Sequence, residues 1–181
     1  MDKIINKIPV KIRSLIFSLK FASFGKHSLV GRMCKFLNSH LIEIGSGVTI
    51  SDFVWLNASD PQNKKNVTLN IGDKTYIGRS VQINAFNNVK IGRNVLIADR
   101  VFISDADHNY LDKSKPIIDQ GDRFVQSIEI KDGSWLGIGC VIMPGVTIGC
   151  NSIVTPNSVV LRDVDDYSIV GGNPAKLIKN Y

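Results

Sequence analysis

Aliphatic residues recur at every sixth position along most of this chain, in one register that is interrupted three times. The residue four places after the aliphatic is small or β-branched in most turns, as at Val48, Val81 and Cys140. Two inward-facing residues in every six, with β-branched types favoured, fit a short strand followed by a tight turn. A sandwich of short strands would instead show spacings that drift between roughly eight and twelve residues. The fixed period therefore predicts a coil. The fifteen aliphatic positions are Ile44, Ile50, Leu56, Ile71, Ile77, Ile83, Ile91, Ile97, Ile103, Ile130, Leu136, Ile142, Ile148, Val154 and Val160.

The interruptions of this period are informative because they share one position in the coil. If three turns make one triangular coil, the extra residues follow Leu56, Ile83 and Ile103, each of which ends a third-face turn. Insertions in solenoids project from one edge, which is commonly the binding edge. We therefore predict an all-β solenoid of about five coils over residues 28–165, with an active-site loop at 104–129.

Three segments resemble a known family. They are SDADHNY at 104–110, WLGIGCVIMPGVTIG at 135–149 and GGNPAKLIK at 171–179. Over residues 71–181 the chain resembles the hexapeptide-repeat acyltransferases, and among them the galactoside, maltose and cell-surface polysaccharide O-acetyltransferases. The resemblance implies a left-handed parallel β-helix, acetyl-CoA as the acyl donor, a sugar acceptor and no metal. It also implies a homotrimer with active sites between subunits.

Composition agrees with one intracellular domain. A chain of 181 residues with 44% hydrophobic residues is long enough for a single core, and the repeat leaves no room for a second domain. Cys34, Cys140 and Cys150 show no metal-binding spacing and are expected to be reduced thiols. Because the sequence has neither a secretory cleavage site nor an apolar run of membrane-spanning length, we expect a cytoplasmic protein.

The N-terminal segment, residues 1–27, differs from the repeat. Ile12, Leu15, Ile16 and Leu19 fall at helical spacing, and Pro9 suits the first helical position. Lysines and an arginine in this segment supply most of the formal net charge of +6. Two interpretations remain open: a basic helix lying peripherally on an anionic membrane, or a cap on the first coil or a contact with a neighbouring subunit.

Two further expectations concern the ends of the repeat. No stripe of basic residues interleaved with aromatic ones follows the coils, so we do not expect nucleic-acid binding. Residues 166–181 are predicted to form a tail with a short C-terminal helix.

His108 is the predicted catalytic residue. O-acetylation requires removal of a proton from a sugar hydroxyl as it attacks a thioester, and imidazole exchanges a proton near neutral pH. His108 lies five residues after Ile103, on the insertion edge. The other histidines, His27 and His40, precede the regular coils, which argues against a zinc site of three converging histidines.

Neighbours of His108 can be placed by register. Asn84 and Ser104 follow the third-face aliphatics of consecutive coils, so Asn84 should lie beneath the root of the His108 loop. Its amide would bind the substrate or orient the imidazole, unless it is a corner residue chosen for its turn conformation. Asp105 and Asp107 are candidates for holding the sugar or fixing the histidine tautomer, with solvated loop charges as the alternative.

The resemblance also implies a set of cofactor-binding residues. Trp135 would provide a flat wall for the pantetheine arm or the sugar, and glycines would open space along that wall. Cations near the C-terminus would bind the phosphates of coenzyme A. The predicted set is Trp135, Gly137, Gly139, Pro156, Asn157, Arg162, Lys176 and Lys179. Pro156 replaces the usual alanine of the family, which weakens the case for an adenine contact there.

The sequence therefore predicts an acetyl-CoA-dependent O-acetyltransferase that acts on a cell-surface glycan, such as an O-antigen, or on its precursor. Two alternatives remain open. One is N-acetylation of a nucleotide-linked amino sugar, and the other is a non-catalytic hexapeptide-repeat scaffold.

Overall fold

Three parallel sheets form the faces of a prism, and the chain passes from one to the next in every coil. The computed structural model describes residues 7–60 and 66–181. The first face consists of β1 (Ser23–Phe24), β4 (Ile42–Ile44), β7 (Leu69–Ile71), β10 (Val89–Ile91), β15 (Ile128–Ile130) and β18 (Thr147–Ile148). The second consists of β2 (Leu29–Val30), β5 (Thr49–Ile50), β8 (Tyr76–Ile77), β11 (Leu96–Ile97), β16 (Trp135–Leu136), β19 (Ile153–Val154), β21 (Ser168–Gly172) and β22 (Ala175–Asn180). The third consists of β3 (Lys35–Leu37), β6 (Trp55–Ala58), β9 (Gln82–Ala85), β12 (Phe102–Ser104), β17 (Val141–Ile142) and β20 (Val159–Val160).

The predicted register places like residues above one another. On the first face Ile44 pairs with Ile71, Ile71 with Ile91, and Ile91 with Ile130. All of these side chains are buried in one continuous core. Each isoleucine covers the one below it, so no coil has to bury its apolar face alone. The predicted left-handed parallel β-helix is confirmed, and the insertions leave it after third-face strands, as predicted.

Residues 7–60 and 66–181 form six complete coils, one more than we predicted. The additional coil is the first, in which Phe24, Val30 and Phe36 keep the six-residue spacing. Phe24 pairs with Ile44 and Phe36 with Leu56. The sequence pattern missed this coil because two of its inward residues are aromatic instead of aliphatic. The solenoid therefore begins at Ser23, inside the segment that was predicted to be helical.

The N-terminal helix closes the open edge of this first coil. Helix α1 (Val10–Ser18) begins directly after Pro9 and is shorter than predicted. Its buried residues are polar: Arg13 Nε donates to the Val30 carbonyl at 2.9 Å, and Ser14 Oγ accepts from the Val30 amide at 2.9 Å. These contacts satisfy backbone groups that the edge strand β2 would otherwise expose. Residues 1–6, including Lys3, lie outside the described part of the chain.

Several apolar residues in and next to α1 are exposed, although Leu15 also lines a groove between α1 and the first coil. Leu15 is 66% exposed and Leu19 84% exposed, whereas only Phe17 of this helix packs against the core. Helix α1 is also too short to cross a bilayer, and no other described helix has the length or hydropathy to do so. The helix therefore buries Arg13 and Ser14 against the protein and leaves Leu15 and the neighbouring Leu19 largely exposed.

The predicted C-terminal helix is wrong. Residues 168–180 form an antiparallel hairpin of β21 and β22, which turns through a cis Asn173–Pro174 bond. Strand β21 adds to the second face in parallel, with Ile169 opposite Ile153. The last coil has unpaired backbone groups at its upper edge, and the hairpin pairs with them. Because these unpaired groups belong to a neighbouring strand, they favour strands at residues 168–180, whatever the local helix propensity.

The contact between Arg13 and Val30 leads to a stability prediction. Replacing Arg13 with Met removes the donor and leaves a buried carbonyl unpaired, which should lower the free energy of unfolding by about 1–3 kcal/mol. Urea denaturation measures this change. Lys11→Met on the exposed side of the same helix is the matched control and should change stability by less than about 0.5 kcal/mol. Equal effects of both substitutions would show that α1 does not close the coil.

Candidate active site

A cavity of about 440 Å³ opens on the third face, beside the long insertion. His108, Asp122 and Asn84 line its middle, while Trp55 and Met143 line it from the second and fifth coils. The cavity therefore extends across several coils, and the predicted catalytic histidine lies in it.

The His108 loop is a β-hairpin, although we predicted only a loop. Strand β13 (Ala106–His108) pairs antiparallel with β14 (Asp122–Phe124), which places His108 opposite Asp122. Beyond the strands, the Asn109 amide donates to the Gly121 carbonyl at 2.8 Å. The side-chain Nε2 of Gln120 donates to the backbone carbonyls of Asp112 and Lys115, and a short 3₁₀ helix at Ile117–Asp119 precedes it. These bonds give the loop a defined shape on the exposed edge.

Asp122 orients the imidazole. Its Oδ1 lies 2.6 Å from His108 Nδ1, which is a short contact between a ring N–H and a carboxylate. With Nδ1 occupied, the other ring nitrogen, Nε2, is left to accept a proton. Asp122 was not among the predicted site residues, because register places only the residues of the coils and those next to His108 in sequence. Pairing of β13 with β14 brings it from fourteen residues away, and no periodicity marks that pairing.

Asp105 has a different role from the one we predicted. Its side chain is fully buried and accepts hydrogen bonds from the amides of Phe86, Asn87 and Asn88, at 2.7, 2.9 and 2.9 Å. Burial raises the pKa of this carboxyl above its usual range, and the three amides act in the opposite direction. The predicted contact with substrate is therefore wrong, because the carboxylate is enclosed by the turn at 86–88.

The backbone of Asp105 binds the other end of the insertion. Its carbonyl accepts from the amides of Val125 and Gln126, at the other end of the insertion. Asp105 thus ties both ends of the His108 loop to the coil below. Asp107, by contrast, is exposed, lines the cavity, and accepts from the His108 amide at 2.8 Å. A sugar contact by Asp107 stays a prediction.

Asn84 lies beneath the root of the His108 loop, as the register predicted. Strand pairing places it between Ser104 and Asn57. Its Oδ1 accepts long hydrogen bonds from Gln82 Nε2 at 3.4 Å and Asn57 Nδ2 at 3.5 Å. The two donors favour an orientation in which the Asn84 Nδ2 group is available to a ligand. Neither Gln82 nor Asn57 was among the predicted site residues.

Trp135 lies on the second face, not on the face that contains the cavity. It follows Tyr76 and Leu96 in one row of outward-facing residues, all of them more than 40% exposed. The same row continues through Ile153 and Ile169 to Lys179. Two predicted cofactor residues, Trp135 and Lys179, are thus aligned along the axis, but on a different face from His108.

The glycines near Trp135 determine how closely the coils pack. Gly137 is buried, and a Cβ there would lie 2.6 Å from the Pro156 amide nitrogen. The next coil fills the space where a side chain would lie, so the glycine is needed for coil packing, and cofactor binding at Gly137 stays a prediction. Gly139 has a φ of 68° and Asn157 a φ of 56°, so both turn the corner between the second and third faces. Pro156 and Asn157 are exposed at this corner, and cofactor binding by them stays a prediction.

Two of the predicted phosphate-binding cations come together. Arg162 and Lys176 line one concavity of about 300 Å³ near the C-terminus, which also contains Asp163 and Asp165. Two cations in one depression suit a phosphate group, although the neighbouring carboxylates reduce the local positive charge.

Other chemistries find less support among the described residues. No group of three or more His, Cys, Asp or Glu side chains within 7–60 and 66–181 is arranged to bind a metal ion. Burial raises the pKa of the Cys140 thiol to about 12 and that of Cys34 to about 11. Both thiols therefore stay protonated near neutral pH, which argues against either as a nucleophile.

Comparison with known proteins agrees with the fold. Residues 127–162 match the family described as bacterial transferase hexapeptide (six repeats). The chain is 36% identical over 140 residues to a probable acetyltransferase of Mycobacterium tuberculosis, an alignment that covers 77% of this chain and 44% of the relative. It is 35% identical over 115 residues to the putative lipopolysaccharide biosynthesis O-acetyl transferase WbbJ of Escherichia coli, covering 60% of this chain and 59% of WbbJ. The chain thus spans about half the length of these relatives.

Among solved structures, the chain is similar to AntD, an N-acyltransferase from Bacillus cereus in complex with dTDP-4-amino-4,6-dideoxyglucose and coenzyme A. The TM-score is 0.77 at 23% identity, and the match covers 93% of this chain and 88% of AntD. This likeness supports the β-helical fold.

The position of Asp105 gives a second prediction. Asp105→Ala removes the acceptor of three amide N–H groups and should lower the free energy of unfolding by about 1–3 kcal/mol. It should also expose the loop at 105–127 to limited proteolysis before the coils unfold. Asp107→Ala, at an exposed neighbouring position, is the control and should leave both measurements nearly unchanged. Equal proteolysis of the two variants would contradict the structural role of Asp105.

Proposed function

We propose that this chain, which belongs to the family of transferases built from hexapeptide repeats, transfers an acetyl group from acetyl-CoA to a hydroxyl of a cell-surface glycan or its precursor. The observation that supports this proposal is the His108–Asp122 pair, which lies in a cavity on the insertion edge. An oriented imidazole beside an open cavity is what deprotonation of a bound hydroxyl requires.

The proposed reaction uses His108 Nε2 as the general base. It accepts the hydroxyl proton as the acceptor oxygen forms a bond to the carbonyl carbon. Acetyl-CoA supplies the thioester, whose C–S bond breaks as the acetyl group is transferred. The imidazolium then gives its proton to the leaving sulfur, and the Asp122 carboxylate stabilises the imidazolium in between. Asn84 Nδ2 donates to the acceptor and keeps its oxygen close to Nε2.

The donor is proposed to approach from the C-terminal coils. Arg162 and Lys176 would hold the phosphates of coenzyme A, since they share one concavity. Trp135 would provide an apolar wall for the pantetheine arm. Because Trp135 and His108 lie on different faces of one prism, a complete site needs the second face of a neighbouring copy. We therefore propose a homotrimer with the site between subunits, in which the exposed row of Tyr76, Leu96 and Trp135 is covered.

N-acylation of a nucleotide-linked amino sugar is the second candidate. It is favoured by the structural likeness to AntD, whose complex contains such a sugar. O-acetylation is favoured by the similarity to WbbJ, an enzyme named for O-acetyl transfer in lipopolysaccharide biosynthesis. Release of coenzyme A in the presence of acceptors that differ only in a hydroxyl or an amino group distinguishes the two.

The third prediction tests the mechanism. His108→Ala should lower kcat for transfer to a hydroxyl acceptor by about 10²–10⁴-fold, the usual scale for general-base catalysis, with little change in acetyl-CoA affinity. Asp122→Asn should also lower kcat, by a smaller factor, because an amide does not stabilise the imidazolium as a carboxylate does. Steady-state release of coenzyme A measures both effects.

The pH profile distinguishes the base from a structural residue. For the wild type, kcat/KM should fall when the base is protonated, because a protonated imidazole cannot accept a proton. This pH dependence should disappear from the residual activity of His108→Ala. Asp119→Asn, an exposed carboxylate in the same loop, is the control for loop charge. Near wild-type transfer by a folded His108→Ala variant would contradict the mechanism.

We also propose that helix α1 contacts an anionic membrane surface. The exposed Leu15 and Leu19 lie close in sequence to exposed lysines at 7, 11, 20 and 26. Apolar residues that insert among acyl chains, flanked by cations that attract anionic headgroups, are typical of helices that lie on membranes. Buried polar contacts of Arg13 and Ser14 leave these leucines largely exposed while α1 closes the first coil.

The fourth prediction concerns this contact. Replacing Leu15 and Leu19 together with Ser should reduce sedimentation with phosphatidylglycerol-containing vesicles by about tenfold or more, because each leucine loses its apolar burial in the membrane. Ile118→Ser is the matched control, since Ile118 is 88% exposed and lies far from α1 in sequence. Wild-type protein should bind neutral phosphatidylcholine vesicles much less. Unchanged sedimentation of the double variant, or its loss of oligomers in solution, would contradict membrane contact.

A further inference from the structure

The cavity extends from the His108 loop toward the N-terminal coils. One row of outward-facing residues runs along the third face from Phe102 through Gln82 and Trp55 to Lys35. Neighbouring strands in a sheet are 4.7–4.9 Å apart, so Trp55 lies roughly 10 Å from the coil at the root of the His108 loop. Phe102, Gln82 and Trp55 all line the cavity. This length exceeds what one acceptor sugar at His108 needs.

Trp55 has the properties of a sugar-stacking residue. Its side chain is partly exposed and lines the cavity, although the indole Nε1 itself is buried. An indole offers a flat apolar face for the C–H groups of a sugar.

The side chains around Trp55 are also suited to a sugar. Asn57 and Gln82 place amide groups in the same part of the cavity, where they can pair with hydroxyls. Lys35 Nζ lies 4.5 Å from the Trp55 ring centroid, and Lys35 itself is exposed. An exposed cation–π contact contributes only about 0.5–1 kcal/mol, so the ammonium can give way to a ligand that contacts the ring.

The direction of the cavity agrees with the proposed donor position. Arg162 and Lys176 lie in the last coils, on the C-terminal side of His108. An acceptor that occupies the N-terminal half of the cavity would meet the thioester at His108 without competing for that space. Lys35 belongs to the first coil, which α1 closes, so the row ends where an acceptor chain would leave the protein.

From these observations we infer that Trp55 forms a second saccharide subsite, so that the acceptor is an oligosaccharide and not a single sugar. The sugar to be acetylated lies at His108, and the adjoining sugar stacks on Trp55. This inference rests on the proposed function, since it assumes that the cavity holds a glycan.

The test measures sugar binding separately from turnover. Saturation-transfer NMR measures binding of each sugar to the full chain. The panel contains the methyl glycosides of galactose, glucose, mannose, rhamnose and N-acetylglucosamine, and disaccharides of the same sugars. The wild type should bind at least one disaccharide more tightly than its methyl glycoside, with contacts to both rings. Trp55→Ala should weaken that disaccharide about tenfold, which corresponds to about 1.4 kcal/mol, and abolish contacts to the second ring. Binding of the methyl glycoside should be unchanged.

Two further variants keep the result interpretable. Trp55→Phe keeps a ring but loses the N–H, and should retain part of the preference for the disaccharide. Phe53→Ala removes a more exposed aromatic residue nearby in the chain and should have no effect. Circular dichroism confirms that each variant is folded.

The outcomes separate the two proposals. Equal disaccharide affinity in wild type and folded Trp55→Ala, or no binding of any disaccharide, would overturn the subsite. Trp55-dependent disaccharide binding without release of coenzyme A from acetyl-CoA would leave the subsite standing and contradict the proposed acetyl transfer.

Discussion

The vertical pairing of parallel strands is the constraint on which the rest of this structure depends. Each coil donates and accepts backbone hydrogen bonds with the coil above and the coil below, and this fixes its inward residues directly over their counterparts. A shift of one residue would turn the buried aliphatics outward. The chain can therefore vary only at its corners and ends, and both the candidate site and the two terminal elements lie there.

Two carboxylates near the cavity show how their position relative to the coil decides which groups they contact. Asp105 lies where the chain leaves the third face, so it is enclosed by the turn of the coil below and holds the loop in place. Asp122 lies on the returning strand of the hairpin, in contact with the imidazole of His108. The first side chain therefore positions the loop, and the second contacts the imidazole of the proposed base. Asp107 is exposed in the cavity, and its contact with an acceptor stays a prediction.

The arrangement of the faces also explains why one chain does not display the whole of the proposed site. Asn84 belongs to the third face and His108 to the hairpin that leaves it, whereas Trp135 and Lys179 belong to the second face. Straight stacking keeps each row on its own face over the full length of the prism. Residues from two faces can meet across a cleft only when a second prism packs alongside. The exposed apolar row at Trp135 is consistent with such packing.

The spacing of aliphatic residues was enough to predict the coil, its three faces, the edge that carries the insertions and the positions of His108 and Asn84. With a fixed period and parallel pairing, a residue's place in the sequence gives its place in the coil. This relation fails where strands pair antiparallel or where an end of the coil must be closed. Asp122 opposite His108, the C-terminal hairpin and the burial of Arg13 and Ser14 in α1 became evident only in the folded chain. Each of these three features depends on backbone pairing with a strand that is distant in sequence. A local pattern of residues does not predict such pairing.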